Sequence, residues 1–397
     1  MDSLMNLAGH AMSKPIIKSF AQSGISIITP DGKTYDLNRG KKNDVEPIVI
    51  KDWRFFWDLV SGYDLGFAEG YLNGTWNHDN LPKLFQHLST QPSHGLANSI
   101  GVYAPAKIAA RITQYIKSKN SLKRAKKNIS DHYDLSNDFF QGFLDNSMTY
   151  SCAVFEDNQT SLHVAQQTKI NRLINAANTR PGQSILDIGC GWGSLALNAA
   201  TIHSLNVSAV TLSKNQFESF NERIKENDLQ TVIDLKHKDY RVIEGKFDHI
   251  FSVEMLEAVG HNGVDTFFKK CSTLLDSGGS LQIQVIVVPD DRYDTYRKNC
   301  DYIQKYIFPG GLLLSQKILN DSANKHSFEI YRSEKIGHHY SKTLAIWRDK
   351  LKSNWPKIEQ LGFEERDFRK FFYYFSYCEG AFRSEHINTL QISYRKR

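Results

Sequence analysis

From about residue 160 onward, the spacing of apolar residues switches between a helical period and short uninterrupted runs. Helical spacing predicts helices at 161–177, 194–201 and 215–226. Short apolar runs predict buried strands at 184–188, 207–212, 232–236, 247–253 and 281–287. Helices and strands that alternate in this way form a parallel sheet covered by helices on both faces. The sequence therefore predicts an α/β fold for this part of the chain.

The first 125 residues have a different pattern, in which short strands and short amphipathic helices are mixed. Apolar and polar positions alternate over 24–35 around Asp31-Gly32, which predicts a hairpin. Residues 53–60 suit a short amphipathic helix. Six basic side chains and no acid lie in 117–128, which we interpret as a solvated linker between domains. We therefore predict a smaller α+β domain over 1–125 and a catalytic domain over 126–397.

Composition and charge narrow the classes of protein that this sequence can represent. The 397 residues are 41% hydrophobic and 23% charged, as in ordinary globular proteins. The chain has no secretory signal pattern, and its five cysteines are odd in number and contain no Cys-x-x-Cys pair. These features predict a cytoplasmic protein without disulfides, and the histidine spacing predicts no metal site. The net charge of +6 favours anionic partners, and the basic run contains no aromatic residue, so nucleic-acid binding is not expected.

The most informative local motif is the glycine-rich segment that follows the predicted strand at 184–188. Asp187, Gly189, Gly191 and Gly193 alternate along it, and a helix-forming segment follows directly. Alternate glycines let backbone N–H groups approach a ligand without obstruction by Cβ atoms. The spacing differs from the one that holds a dinucleotide pyrophosphate. The strand that ends at Thr211 and Leu212 also lacks the acid that binds a ribose in NAD enzymes. S-adenosylmethionine, which has no phosphates, is therefore the predicted ligand.

Several further motifs occur in a fixed order and make this prediction more specific. They are 131–140 (DHYDLSNDFF), 148–152 (MTYSC), 210–213 (VTLS) with Gln216, 254–260 (EMLEAVG), 306–311 (YIFPGG), 339–344 (HYSKTL) and 378–382 (CEGAF) with Gln391. Together these motifs resemble those of the cyclopropane fatty acid synthase family over nearly the whole chain. The resemblance implies a Rossmann-like methyltransferase domain with a seven-stranded, mostly parallel sheet, and a smaller α+β N-terminal domain like that of bacterial members.

The resemblance also implies a reaction and a set of site residues. The reaction would bridge a double bond of an unsaturated phospholipid acyl chain through a carbocation, whose proton a bound bicarbonate ion removes. The implied holders of that ion are Cys152, Glu257, Tyr340 and the backbone near Ile286. The implied cofactor-binding residues are Tyr133, Tyr150, Ser151, Asp187, Gly189, Gly191, Trp192, Thr211, Leu212, Gln216, Asp239 and Tyr240. A homodimer that contacts the inner membrane surface is implied in the same way.

One position departs from the best-known members of the family, because Gln284 stands where they have a histidine. An amide can hold an anion but cannot relay a proton as an imidazole can. A methyl-branched or methylene product is therefore an open alternative to a ring, as is methylation of a small amine. A lipid-binding or scaffolding protein without turnover is a further alternative. Glu254 and Glu257 have the spacing of one helix face, and a role for Glu254 stays open.

Overall fold

The N-terminal part of the chain is a small unit of helices and short strands. A computed structural model describes residues 2–36, 45–90 and 135–397. The first two ranges contain α1 (Asp2–Ser23), β1 (Ile27–Ile28), β2 (Thr34–Tyr35), β3 (Ile48–Ile50), α2 (Arg54–Gly62), α3 (Asp64–Leu72), β4 (Trp76–Asn77) and α4 (Leu81–Thr90). Ile27 pairs with Tyr35 in antiparallel register, so the predicted hairpin is confirmed. The basic run, the predicted boundary at 125/126 and Tyr133 lie outside the described residues.

The remaining residues alternate between helices and strands, as the sequence predicts. They form α5 (Asn137–Gln141), α6 (Leu162–Ala176), β5 (Ser184–Ile188), α7 (Ser194–Thr201), β6 (Asn206–Thr211), α8 (Lys214–Glu226), β7 (Ile233–His237), β8 (Phe247–Val253), α9 (Gly263–Leu274), β9 (Leu275–Val287), α10 (Asp290–Tyr296), α11 (Gln316–Lys325), β10 (Phe328–Lys335), α12 (Gly337–Glu359), α13 (Glu365–Arg383) and β11 (Asn388–Lys396). The sequence predicted the helices α6, α7 and α8 and the strands from β5 to β9, but not α5, α9 or any element after β9.

The large sheet has seven strands in the order β10-β11-β9-β8-β5-β6-β7. The neighbours from β9 to β7 pair in parallel, whereas β11 runs antiparallel to both β9 and β10. The chain goes from β5 outward to β6 and β7 and then returns to β8 on the other side of β5. This reversal leaves a crevice at the carboxyl ends of the central strands, where open α/β sheets bind their ligands.

Both faces of this sheet are covered by helices, because successive side chains of a strand point to opposite faces. Ile185 of β5 belongs to the hydrophobic core shared with α6, α7 and α8. Leu186 and Ile188 belong to the opposite core, which is shared with α9 and α11. The predicted Rossmann-like architecture is thereby confirmed.

The N-terminal unit packs on the end of the chain through one continuous hydrophobic core. The ring of Tyr373 in α13 lies 5.5 Å from that of Tyr71 and 4.9 Å from that of Phe85. A Cβ atom at Gly380 would lie 2.6 Å from the backbone nitrogen of Gln86, so α4 and α13 touch closely there. Within the ranges given above, no helix is both long enough and apolar enough to cross a membrane.

Candidate active site

A cavity of about 320 Å³ opens at the carboxyl ends of β5, β6, β7 and β8. Every predicted cofactor-binding residue in the described ranges lines it, which leaves only Tyr133 without a position. The lining members of the predicted set are Tyr150, Ser151, Asp187, Gly189, Gly191, Trp192, Thr211, Leu212, Gln216, Asp239 and Tyr240. The structure therefore brings together residues that are up to 90 positions apart in the sequence (240 − 150).

The glycine-rich segment forms the wall of the cavity beyond β5. Gly191 and Gly193 have φ values of +56° and +88°, in the left-handed region that favours glycine. A Cβ atom at Gly193 would lie 2.1 Å from the ring of Phe220, so this glycine is needed for packing. A Cβ atom at Gly191 would meet no protein atom within 4 Å. Gly191, which lines the cavity, therefore leaves room there for a ligand.

A buried acid, Asp187, lies beside this wall. Asp187 is 2% exposed and its Oδ2 has no hydrogen-bond partner. Burial raises the pKa of Asp187 to about 7, since the charged form is poorly solvated. An unpaired carboxylate oxygen at the end of β5 suits a ligand that carries positive charge or hydroxyl donors. Asp187 thus lines the cavity as an acid at the position that the sequence predicted.

Lys169 is a cavity residue that the sequence analysis missed. It is 1% exposed, and its Nζ donates to Ser151 Oγ at 2.6 Å. Burial lowers its pKa to about 8. Lys169 lies three positions after Gln166 and four before Leu173, all on the buried face of α6. This helical register was the available signal, because a lysine in phase with apolar positions is not on the solvent side.

Two other predicted residues engage neighbours within the cavity wall. Asp239 is half of an ion pair, since its Oδ2 lies 2.7 Å from Nη2 of Arg241 and its Oδ1 accepts from the Arg241 backbone at 2.9 Å. Thr211 Oγ1 donates to Gln216 Oε1 at 2.8 Å, which fixes the start of α8 against β6. These contacts hold the rim of the cavity in one shape.

Three of the residues predicted to be catalytic, Cys152, Gln284 and Tyr340, donate to Glu254 behind the cavity wall. Glu254 Oε1 accepts from the backbone N–H of Cys152 at 2.9 Å and from Gln284 Nε2 at 2.8 Å. Its Oε2 accepts from the Tyr340 hydroxyl at 2.7 Å. Gln391 Nε2 donates to Gln284 Oε1 at 3.0 Å and so fixes which end of that amide faces Glu254. Glu254 lines the cavity, whereas Cys152, Gln284 and Tyr340 do not.

Glu257 occupies a separate position in the same region. Its Oε1 accepts from the backbone N–H of Ile286 at 2.6 Å, and its Oε2 has no partner. Burial and the nearby charge of Glu254 raise the pKa of Glu257 to about 8. The prediction that Glu254 and Glu257 share a helix face is wrong. Glu254 has a left-handed φ of +50° directly after β8, and Glu257 lies on a short 3₁₀ turn, Leu256–Ala258.

The predicted role of the Cys152 thiol as an anion donor also differs from the structure. Its Sγ donates to the carbonyl groups of Ala153 at 3.3 Å and Ile336 at 3.7 Å, and only the backbone N–H reaches Glu254. Burial raises the pKa of the thiol well above its usual range. Cys152 is therefore a neutral structural group here, because a thiolate in this apolar setting would be poorly solvated.

This sheet and the glycine-walled cavity at its carboxyl edge correspond to a methyltransferase that uses S-adenosylmethionine. The family described as mycolic acid cyclopropane synthetase matches residues 120–392. The chain belongs to this cyclopropane synthase family of S-adenosylmethionine-dependent methyltransferases, whose members act on lipids.

Individual relatives agree with that assignment. The chain is 34% identical to the tuberculostearic acid methyltransferase UfaA1 of Mycobacterium tuberculosis, over 82% of this chain and 78% of the relative. It is 33% identical to the cyclopropane-fatty-acyl-phospholipid synthase of Escherichia coli K12, over 88% and 87%. The solved structure of mycolic acid cyclopropane synthase CmaA1 with SAH and CTAB superposes with a TM-score of 0.65 at 30% identity, over 68% of this chain and 98% of that one.

Proposed function

We propose that the protein transfers a methylene group from S-adenosylmethionine to the cis double bond of an unsaturated phospholipid acyl chain and so forms a cyclopropane ring. The observation that carries this proposal is the carboxylate of Glu254, which lines the cofactor cavity and is held by three hydrogen-bond donors. Methylation of an amine does not pass through a carbocation, so it needs no base that deprotonates a carbocation after the methyl group has been transferred. Ring formation requires such a base, because the ring closes only when the transferred methyl group loses a proton.

In the first step, the alkene carbon forms a bond to the methyl group while the bond from the methyl carbon to sulfur breaks. An alkene is a weak nucleophile, so this step depends on holding the sulfonium and the double bond in line and free of water. A cation is left on the neighbouring alkene carbon. The ring of Tyr150, which lines the cavity, would stabilise it through its electron-rich face.

In the second step, a proton leaves the transferred methyl group and the freed electron pair closes the ring. The family resemblance assigns this proton to bicarbonate. The donors predicted to hold that ion do not fit this role here, because Cys152 and Tyr340 donate to Glu254 and the Ile286 backbone donates to Glu257. The proposed reaction therefore does not use bicarbonate.

A methyl-branched or methylene product is a second candidate. Gln284 supports this candidate, because it stands where the best-known members of the family have a histidine. The similarity to UfaA1, a tuberculostearic acid methyltransferase, also supports it. A methylene branch arises when a hydride first shifts from the methyl-bearing carbon to the cationic carbon and the methyl group then loses a proton. A methyl-branched alkene arises when a chain carbon beside the cation loses a proton. We retain the further proposals that the protein is a cytoplasmic homodimer, that it acts at the inner membrane surface, and that residues 1–125 form an accessory domain.

The test is incubation of the protein with S-adenosylmethionine bearing a trideuterated methyl group and vesicles of monounsaturated phospholipid. Mass analysis of the recovered acyl chains, before and after mild hydrogenation, separates the products. A ring loses one deuterium and resists hydrogenation, a methylene branch loses one and takes up hydrogen, and a methyl-branched alkene keeps all three deuterium atoms and takes up hydrogen. Vesicles of saturated phospholipid are the control. Absence of any label in unsaturated chains would refute the proposed function.

A further inference from the structure

Glu254 occupies the position that an external anion would need in order to accept the methyl proton. Three donors from distant parts of the chain point at its carboxylate: the Cys152 backbone, the Gln284 amide and the Tyr340 hydroxyl. The family resemblance implies that Cys152 and Tyr340 hold bicarbonate. Gln284 stands where the best-known members of the family have a histidine. A carboxylate has the same planar O–C–O arrangement as bicarbonate. The side chain thus fills an anion site within its own protein.

The hydrogen bonds leave one acceptor position of Glu254 free. An ionised carboxylate has about four lone-pair positions, two on each oxygen. Cys152 and Gln284 share Oε1, while Oε2 receives only the Tyr340 hydroxyl. Glu254 is partly exposed, and it is part of the cavity wall. Oε2 can therefore accept one further proton without losing any of the three hydrogen bonds.

The backbone at Glu254 is strained in a way that fixes this arrangement. Its φ of +50° is unusual for a residue with a side chain and is unfavourable. Its N–H donates to the carbonyl oxygen of Gln284 at 2.7 Å, which ties the end of β8 to β9. Glycine would adopt this conformation without strain. Retaining a glutamate here has a stability cost, and strained residues of this kind cluster at functional sites.

The hydrogen bonds distinguish the two carboxyl groups of the pair. Glu254 accepts three protein donors, which favour its ionised form, whereas Glu257 accepts one from the Ile286 backbone. Burial raises the pKa of both groups, and the charge of Glu254 adds to the rise at Glu257. A carboxylate that is held by donors and whose pKa is raised by burial is suited to general-base catalysis.

We propose that Glu254 is the general base of the reaction and that this protein needs no bound bicarbonate. The proposal rests on the proposed function. Oε2 takes a proton from the methyl group attached to the carbocation, the electrons of that C–H bond form the second bond of the ring, and Glu254 becomes a neutral acid. The proton later leaves to solvent, so the overall products are the cyclopropane lipid, S-adenosylhomocysteine and one proton. Gln284 is a positioning residue that acts through Glu254.

The test compares turnover on monounsaturated phospholipid vesicles in buffers freed of carbon dioxide and in the same buffers with added bicarbonate. Wild-type turnover should be equal in both. Glu254→Gly should be slower by about 10²–10⁴-fold without bicarbonate. It should regain much of this activity when bicarbonate is added, because glycine relieves the strained φ and frees the donors of Cys152, Gln284 and Tyr340.

Glu254→Gln is the matched variant, because its neutral amide fills the same space and cannot act as a base. It should be inactive with and without bicarbonate. Glu244→Gln, at an exposed residue outside the cavity wall, should behave as wild type. Calorimetric titration with S-adenosylhomocysteine checks that each variant is folded. If Glu254→Gly does not fold, the comparison of wild-type turnover with and without bicarbonate still shows whether the reaction needs that ion.

Three outcomes would overturn the proposal. Wild-type turnover that disappears without bicarbonate and returns with it would identify the ion as the base and leave the proposed function intact. Unchanged turnover of Glu254→Gln or of Glu254→Gly without bicarbonate would assign Glu254 a structural role only. Wild-type protein that leaves every unsaturated lipid unlabelled under both conditions would refute the proposed function and this inference together.

Discussion

At the scale of single residues, two glycines of one loop have different tasks. The Cβ position of Gly193 is blocked by Phe220, so Gly193 is required for the fold. The Cβ position of Gly191 is open and lies in the wall of the cavity. A side chain at 191 would therefore compete with the ligand and not with the protein. This difference separates effects on cofactor binding from effects on stability.

We predict that Gly191→Ala lowers the affinity for S-adenosylmethionine by roughly tenfold or more, because the added methyl group occupies ligand space. Gly182→Ala is the control. Gly182 has a φ of +83°, also has no atom within 4 Å of its Cβ position, and does not line the cavity. Both variants should lose about 1 kcal/mol of stability from the left-handed backbone. Calorimetric titration and thermal unfolding measure the two effects, and equal affinities for the ligand would contradict our placement of the loop.

At the scale of elements, the contact between α4 and α13 joins the N-terminal unit to the catalytic part. Gly380 lets the two helices approach until its Cβ position is 2.6 Å from the Phe85 Cβ and 2.8 Å from the Pro82 carbonyl oxygen. The contact is reinforced by Arg369, whose Nε donates to the Tyr71 carbonyl at 2.5 Å. Since α13 also carries Tyr374, whose hydroxyl accepts from the hydroxyl of the cavity residue Tyr150 at 3.4 Å, this helix also contacts the wall of the site.

Gly380→Leu should destabilise the protein by about 1–3 kcal/mol, because the larger side chain forces α4 away from α13. Gly62→Leu, at a helix position with no atom within 4 Å of Cβ, should change stability by less than about 0.5 kcal/mol. Urea unfolding followed by circular dichroism measures both. Equal stability of the two variants would mean that the interface adjusts without cost.

At the scale of the whole molecule, the main hydrophobic core contains residues of both predicted domains. It runs from Ile16 and Phe55 in the N-terminal unit to Phe139 and Phe382 in the catalytic part. The helices on the sheet faces belong to two further cores. The N-terminal unit alone would expose the apolar side of α4, which α13 covers here.

We predict a single cooperative unfolding transition for the full chain, because separating the two parts would expose core residues of both. Differential scanning calorimetry checks this by comparing the calorimetric and van't Hoff enthalpies, which should agree for one transition. Two resolved transitions would indicate that the N-terminal unit folds as an independent domain.

Local signals determined the central part of the sheet and the cofactor loop. Strands β5 and β8 have the limits that the sequence predicts, since a short apolar run between turn residues is sufficient evidence for a buried parallel strand. The last strand was missed although its pattern is that of a strand. In β11, apolar Leu390, Ile392 and Tyr394 alternate with polar residues, which is typical of a strand with one face in water. The structure buries both faces, because Gln391 and Ser393 bond to Gln284 and Gln282 of β9.

The sequence by itself predicted residues that line one cavity, because the glycine loop and the strand ends that form its wall follow one another along the chain. Only the tertiary structure shows which acid lines that cavity. Glu254 and Glu257 are three residues apart and chemically identical, so no local pattern could rank them. Glu254 was selected by donors at 152, 284 and 340, which the strand order and the packing of α12 bring to one point.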